Sequence, residues 1–294
     1  MTAQLILDTD IGTDVDDALA LALILGSPEL SLRTVTTVYG DTVLRAKLAS
    51  RLCTLSGGSA SPEIIAGQGE TLSGRDVWWP GHEGTQFVDL NAEDYGGRID
   101  AVDHLVTEVL NHPGEIDVLA VGPLTNIAEA MRREPDFASA MRGLYIMGGD
   151  FRDERRIREH NFLCDATAAD EVFRSGARIT VTGLDVTETI AFRPEQVERI
   201  RNAGLLGRAL GAEIDIFWNF HGKPWNNPHD AITALTLVRP DLFDAHEARV
   251  RIEASGVDAG LVIDDSDAAL VTVIDRAKSE RVCEELVARI IAAA

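Results

Sequence analysis

Residues 4–25 run from an apolar stretch, QLILD, through an acidic loop into DDALALALIL, and this order of apolar strand, polar turn and helix recurs along the chain. Short apolar runs at 32–40 (LRTVTTVYG), 62–67 (PEIIAG), 116–122 (IDVLAVG), 143–149 (GLYIMGG) and 177–185 (ARITVTGLD) are expected to be strands. Between them, 16–28, 42–58, 101–114, 124–135 and 166–176 carry apolar residues at helical spacing. Several strands are apolar on both faces, which is stable only when both faces are covered. The expected fold class is therefore α/β, an open, mostly parallel Rossmann-like sheet with helices on both faces. Residues 186–230, with PEQVERIRNAG and GAEIDIFWNFH, read as a helical cap, and the C-terminal stretch reads as edge strands followed by a closing helix. No repeat, low-complexity tract or linker-like break interrupts the pattern, so 1–294 is read as a single domain.

Charge narrows the partners. With 48 acidic against 27 basic residues the formal net charge is −21, which argues against nucleic acid and anionic membrane surfaces, both of which are bound through Lys and Arg. Cys53, Cys164 and Cys283 are odd in number and widely spaced, so neither a disulfide framework nor a zinc site is expected. No uncharged apolar stretch reaches spanning length and no leader-like segment opens the chain; a soluble, cytoplasmic protein is expected.

The acidic loop, DTDIGTDVDD, holds Asp8, Asp10, Asp14, Asp16 and Asp17 within ten residues. Carboxylates this close repel or take up protons unless a cation or strong donors compensate. In doubly wound folds ligands bind at the carboxyl ends of the strands, and four polar punctuations fall there: this loop, YGD (39–41), GPLTN (122–126) and MGGD (147–150). Each has a plainer reading, with Asp17 as a helix cap, Asn126 as a turn residue and the glycines as turn formers. Their coincidence favours a shared crevice. Oxygen-only donors select a hard cation, Ca2+ or Mg2+. An EF-hand is excluded because the twelfth positions counted from Asp8 and Asp10 are Leu19 and Leu21. A Mg2+-dependent phosphatase with a strand-end DxD motif is the alternative, although it calls for a lysine at the phosphate, and Lys47, Lys223 and Lys278 fall at no clear strand end.

The ordered set DTDIGTDVDDA, TTVYGD, GHEG, GPLTNIA, MGGD, EHNF followed by DATAADEVF, and PHDAITAL resembles the nucleoside hydrolases of the inosine-uridine-preferring type, whose first motif is DxDxGxDDA. Here that loop is two residues longer. The resemblance implies Ca2+-dependent hydrolysis of the N-glycosidic bond of ribonucleosides to free base and ribose. It implies that Asp10, Asp17, the carbonyl of Thr125 and Asp230 hold Ca2+, that Asp16, Glu159 and Asn161 bind the ribose, and that Asp10 is the general base. His229, beside Asp230, is the candidate acid for the leaving base. Met147, His82, Trp78, Trp79, Trp218 and Trp225 are expected on the substrate side, with indole faces suited to stacking on a base. Two departures, Asp41 and Asp153 where the family carries Asn, would add negative charge beside the sugar and disfavour a 5′-phosphate. They also lend support to a catalytically weak nucleoside- or sugar-binding homologue as a second alternative. A homodimer or homotetramer is implied by the family.

Overall fold

The computed structural model describes residues 2–57, 61–152 and 156–294. Nine strands form one sheet: β1 (Ala3–Thr9), β2 (Leu30–Thr37), β3 (Glu63–Ala66), β4 (Ile116–Ala120), β5 (Gly143–Met147), β6 (Ile179–Thr182), β7 (Phe243–Ile252), β8 (Val262–Asp264) and β9 (Leu270–Ala277). Their order is β3-β2-β1-β4-β5-β6-β9-β7-β8. All pairings from β3 to β9 are parallel, and β7 and β8 complete the edge antiparallel. The C-terminal strands are thus not all at the edge: β9 lies between β6 and β7, parallel to the former.

Among the described residues twelve α-helices accompany the strands: α1 (Asp16–Leu25), α2 (Thr42–Leu55), α3 (Ala101–Asn111), α4 (Thr125–Arg133), α5 (Phe137–Ala140), α6 (His160–Cys164), α7 (Ala166–Arg174), α8 (Leu184–Thr187), α9 (Pro194–Arg201), α10 (Gly204–His221), α11 (His229–Val238) and α12 (Ser279–Ala292). Alternation along the central strands explains their two-faced apolarity. Leu5 and Leu7 of β1 and Leu119 of β4 pack into one core with α1, α2, α11 and α12, whereas Ile6 of β1 and Val118 and Ala120 of β4 pack into the other with α3, α4 and α7. α1 is buried along Asp16–Ile24 because it lies beneath α11 and α12 as well as against the sheet, so it is apolar all round after its acidic first turn. No helix among the described residues is long and apolar enough to cross a membrane.

Beneath the strand ends a buried polar stitch joins β1, β2 and the loop after β3. Asn126, fully buried at the start of α4, donates to the Asp8 carboxylate (2.7 Å) and to the Thr37 carbonyl (3.1 Å), and accepts from the backbone N–H of Gln68 (2.9 Å). Thr36 donates to the same Asp8 oxygen at 2.5 Å. Asn126 is therefore more than a turn residue. Replacing it with Ala removes three bonds, but the Asp8 oxygen keeps Thr36 and the Thr37 carbonyl keeps the Gly67 N–H, so the Gln68 N–H alone is left unpaired. Because an unsatisfied buried group costs about 1–3 kcal/mol, Asn126→Ala should lose about 1–3 kcal/mol in urea unfolding. A loss under about 0.5 kcal/mol would show that water replaces the stitch.

Candidate active site

The chain reverses its direction of travel across the sheet at β1, which has β2 on one side and β4 on the other. A crevice of about 310 Å³ opens there, outside the carboxyl ends of β1, β4 and β5. Two helices deliver its acid groups: Asp16 and Asp17 form the first turn of α1, and Asp230 lies in the first turn of α11, which packs on α1. One ligand oxygen from each of the three lies within 4.8 Å of the other two. Helix N-termini favour negative charge, but only partly. Burial and mutual repulsion hold the carboxyl groups of Asp16, Asp17 and Asp230 well above the ordinary range, and Thr9 donates to Asp17.

Asp10 joins them at the end of β1. Its Oδ1 comes so close to Gly122 that a Cβ there would sit 2.7 Å away, so the turn after β4 needs glycine. Burial raises the Asp10 carboxyl pKa, against the attraction of the Arg45 and His160 charges. The cluster fits a hard divalent cation: the donors are carboxylate oxygens, they converge, and they are buried without enough opposite charge. Thr125, the fourth expected ligand, opens α4 fully buried, its hydroxyl donating to Asp165 (2.7 Å). Asp16, expected on the ribose, places its carboxylate inside the acidic cluster.

On one wall of the crevice Glu159 and Asn161 are locked. Glu159 caps α6, accepting from the N–H groups of Asn161 (2.7 Å), Phe162 (3.0 Å) and Gly149 (3.1 Å). The Asn161 amide donates to the carbonyls of Val121 (2.7 Å) and Met147 (3.2 Å), bridging the ends of β4 and β5. Met147 lines the crevice as expected. His229 does too, with Nδ1 at 2.7 Å from the Thr187 hydroxyl; burial pushes its pKa down to about 4, so the imidazole is neutral at pH 7.

Of four tryptophans only Trp78 reaches the crevice, edge-on to His160 at 5.7 Å. Trp79 lies over the Arg45 guanidinium at 4.8 Å, Trp218 donates to Asn226 (3.0 Å) and packs the cap, and Trp225 sits beside Lys223. His82 turns its Nε2 to the Thr13 carbonyl (2.8 Å). Asp41 is exposed and caps α2 through the Leu44 N–H (2.9 Å), because β2 ends at Thr37 and YGD lies beyond it. Asp41 therefore does not line the crevice, whereas Arg158 does. Asp153 falls outside the described residues. Asp150 of MGGD pairs with Arg152 (2.7 Å) away from the crevice.

Several lining residues carried no sequence assignment. His160, Arg158, Leu184, Phe217 and His221 also line the crevice, and so does Asp14 of the lengthened loop, its carboxyl pKa pushed up to about 7. Glu213, Phe217 and His221 follow one another at four-residue intervals on α10, a spacing that places them on one face.

The class that this geometry defines is a doubly wound α/β protein with a cluster of oxygen donors suited to a cation at its switch point. Residues 5–287 match the model of the inosine-uridine preferring nucleoside hydrolase family, and the chain belongs to that family. It is 31% identical to uridine nucleosidase 1 of Arabidopsis thaliana over 87% of this chain and 80% of that protein, and 31% identical to the non-specific ribonucleoside hydrolase RihC of Escherichia coli (strain SE11) over 92% and 90%. The purine-preferring ribonucleoside hydrolase from Gardnerella vaginalis superposes with a TM-score of 0.86 at 26% identity, covering 99% of this chain and 98% of that one. The chain is thus an N-glycosyl hydrolase of nucleosides.

Behind the crevice Glu213 accepts from Gln86 (2.9 Å), while its other oxygen and the Gln86 carbonyl oxygen are buried without partners. Burial, reinforced by Asp14, raises the Glu213 pKa from 4.5 to about 8. A proton on Glu213 can join these two oxygens. Since the unfolded chain ionises first, stability linked to Glu213 is complete below about 4.5 and is lost as pH rises through about 8. Glu213→Gln should therefore lose less stability than the wild type between pH 5 and pH 9 in urea melts, and parallel curves would refute the assignment.

Proposed function

We propose that the protein hydrolyses ribonucleosides to free base and ribose with a Ca2+ ion held by Asp10, Asp17, Asp230 and the Thr125 carbonyl. The observation that carries this reading is the convergence of buried carboxylates from two helix N-termini at the switch point, in a chain whose relatives are named as uridine and ribonucleoside hydrolases. When bound, the cation supplies Lewis-acid polarisation and orients vicinal hydroxyls.

The residues supply the rest. Asp10, anchored at the end of β1, takes the proton of the attacking water. Breaking the glycosidic bond leaves positive charge on the sugar, and the surrounding carboxylates, fixed before reaction, stabilise it. Asp16, Glu159 and Asn161 bind the ribose hydroxyls, the latter two immobilised by their backbone bonds. His229, neutral at pH 7, would serve the departing base as the tautomer whose Nδ1 accepts from the Thr187 hydroxyl and whose Nε2–H donates into the crevice, with Trp78 on the same wall. A phosphatase is not favoured: Lys47 donates to the Asn91 carbonyl, Lys278 to the Asp241 carbonyl and Lys223 lies against Trp225, none of them lining the crevice.

Two experiments test this. With inosine and uridine as substrates and free base followed by chromatography, Asp10→Asn should lower kcat by several orders of magnitude in a folded protein; near-normal turnover would move the base elsewhere. A nitrophenyl riboside has a leaving group that is already a stable anion, so His229→Ala should lose more activity on nucleosides than on that riboside. Equal losses would assign His229 to positioning the sugar.

A further inference from the structure

We infer that Arg45 is a positioning residue for catalysis, a buried guanidinium that clamps the backbone of the aspartate loop to the base-side wall. Arg45 lies on α2 and is fully buried. Burying a guanidinium is costly unless its donors are met, and here four contacts meet them. Nη1 donates to the carbonyls of Asp10 and Ile11, the latter at 2.8 Å; Nε donates to the Tyr39 carbonyl (2.7 Å); Nη2 donates to the Thr13 hydroxyl (3.1 Å). These partners are three backbone carbonyls and a hydroxyl, and the Trp79 ring covers the group at 4.8 Å. An apolar side chain fills a buried space at lower cost than an ion, so packing alone does not account for it.

What the clamp holds decides the role. The Asp10 carbonyl and carboxylate share one Cα, so fixing the carbonyl restricts where the carboxylate points. Thr13 belongs to the lengthened stretch between Gly12 and Asp16; its hydroxyl donates to Glu83 (3.1 Å) and its carbonyl meets His82 (2.8 Å). Through Tyr39 the same guanidinium reaches the other wall, because the Tyr39 hydroxyl accepts the N–H of Trp78 at 2.8 Å. One side chain thereby sets the base-side loop and the Asp10 loop against each other. The ribose contacts at Glu159 and Asn161 lie outside its reach, bonded to β4, β5 and α6. Because Trp78 is also packed on His160 and Phe220, loss of Arg45 should fall mainly on kcat, with a smaller change in KM. This rests on Asp10 acting as the base.

The test is steady-state kinetics on uridine and inosine for Arg45→Gln and Arg45→Lys, with folding checked by circular dichroism and Asp10→Asn run alongside. Since misplacing a catalytic group by about 1 Å costs on the order of 100-fold, Arg45→Gln should lose about 100-fold in kcat with KM changed by less than about threefold. Arg45→Lys, which keeps the charge and part of the donor set, should recover part of the loss. Wild-type kcat in folded Arg45→Gln beside an inactive Asp10→Asn overturns the clamp, as does a change confined to KM. Normal turnover in Asp10→Asn overturns instead the reading of Asp10 beneath it. If the Arg45 variants do not fold, Thr13→Val removes one anchor and should lower kcat while Thr13→Ser restores it; equal kcat in all three Thr13 forms overturns the clamp.

Discussion

Three carboxylates from two helix N-termini, with a fourth from a strand end, meet in a buried crevice, and the repulsion among them is the constraint around which the rest is arranged. Helix dipoles at α1 and α11 offset part of the charge, Arg45 stands beneath Asp10, and Thr9 donates to Asp17. None of these neutralises the cluster, as the raised carboxyl pKa values record. A divalent cation would, and in the proposed reaction so would a substrate whose sugar becomes positive. One cluster thus serves both binding and bond cleavage in the proposed reaction.

Rigidity around the cluster comes from polar groups buried on the same side of the sheet. Asn126 stitches Asp8 to β2 and the loop after β3, Asn161 bridges the ends of β4 and β5, and Glu159 caps α6 while holding Gly149. Each bonds backbone groups at or just beyond strand ends, so the crevice is braced by the termini that form it. The aromatic wall is built differently. Trp78, His160, Phe217 and His221 come from a long loop, a short helix and the end of the cap helix, and their rings meet edge-on or tilted rather than through backbone bonds.

Local pattern made most of the fold legible: both-faced apolar strands imply two helical layers, and β1, β4 and β5 have them. The acidic motif on α1 and PHDAI on α11 were readable because they are contiguous. What local pattern did not carry was long-range packing. β9 inserts beside β6, and three tryptophans turn into structural contacts with Arg45, Asn226 and Lys223. Asp41 caps a helix because its strand stops four residues earlier. Arg45 did leave a trace, since with Leu48, Ala49 and Leu52 it falls on the buried stripe of α2, where an arginine requires partners.

The central claim is that the aspartates exist to hold a divalent cation, and calorimetric titration of Ca2+ into chelator-stripped protein tests it most directly. One ion should bind per chain, with binding abolished in folded Asp230→Asn and Asp17→Asn. A stripped protein that takes up no Ca2+, or one in which both substitutions leave binding unchanged, would contradict it.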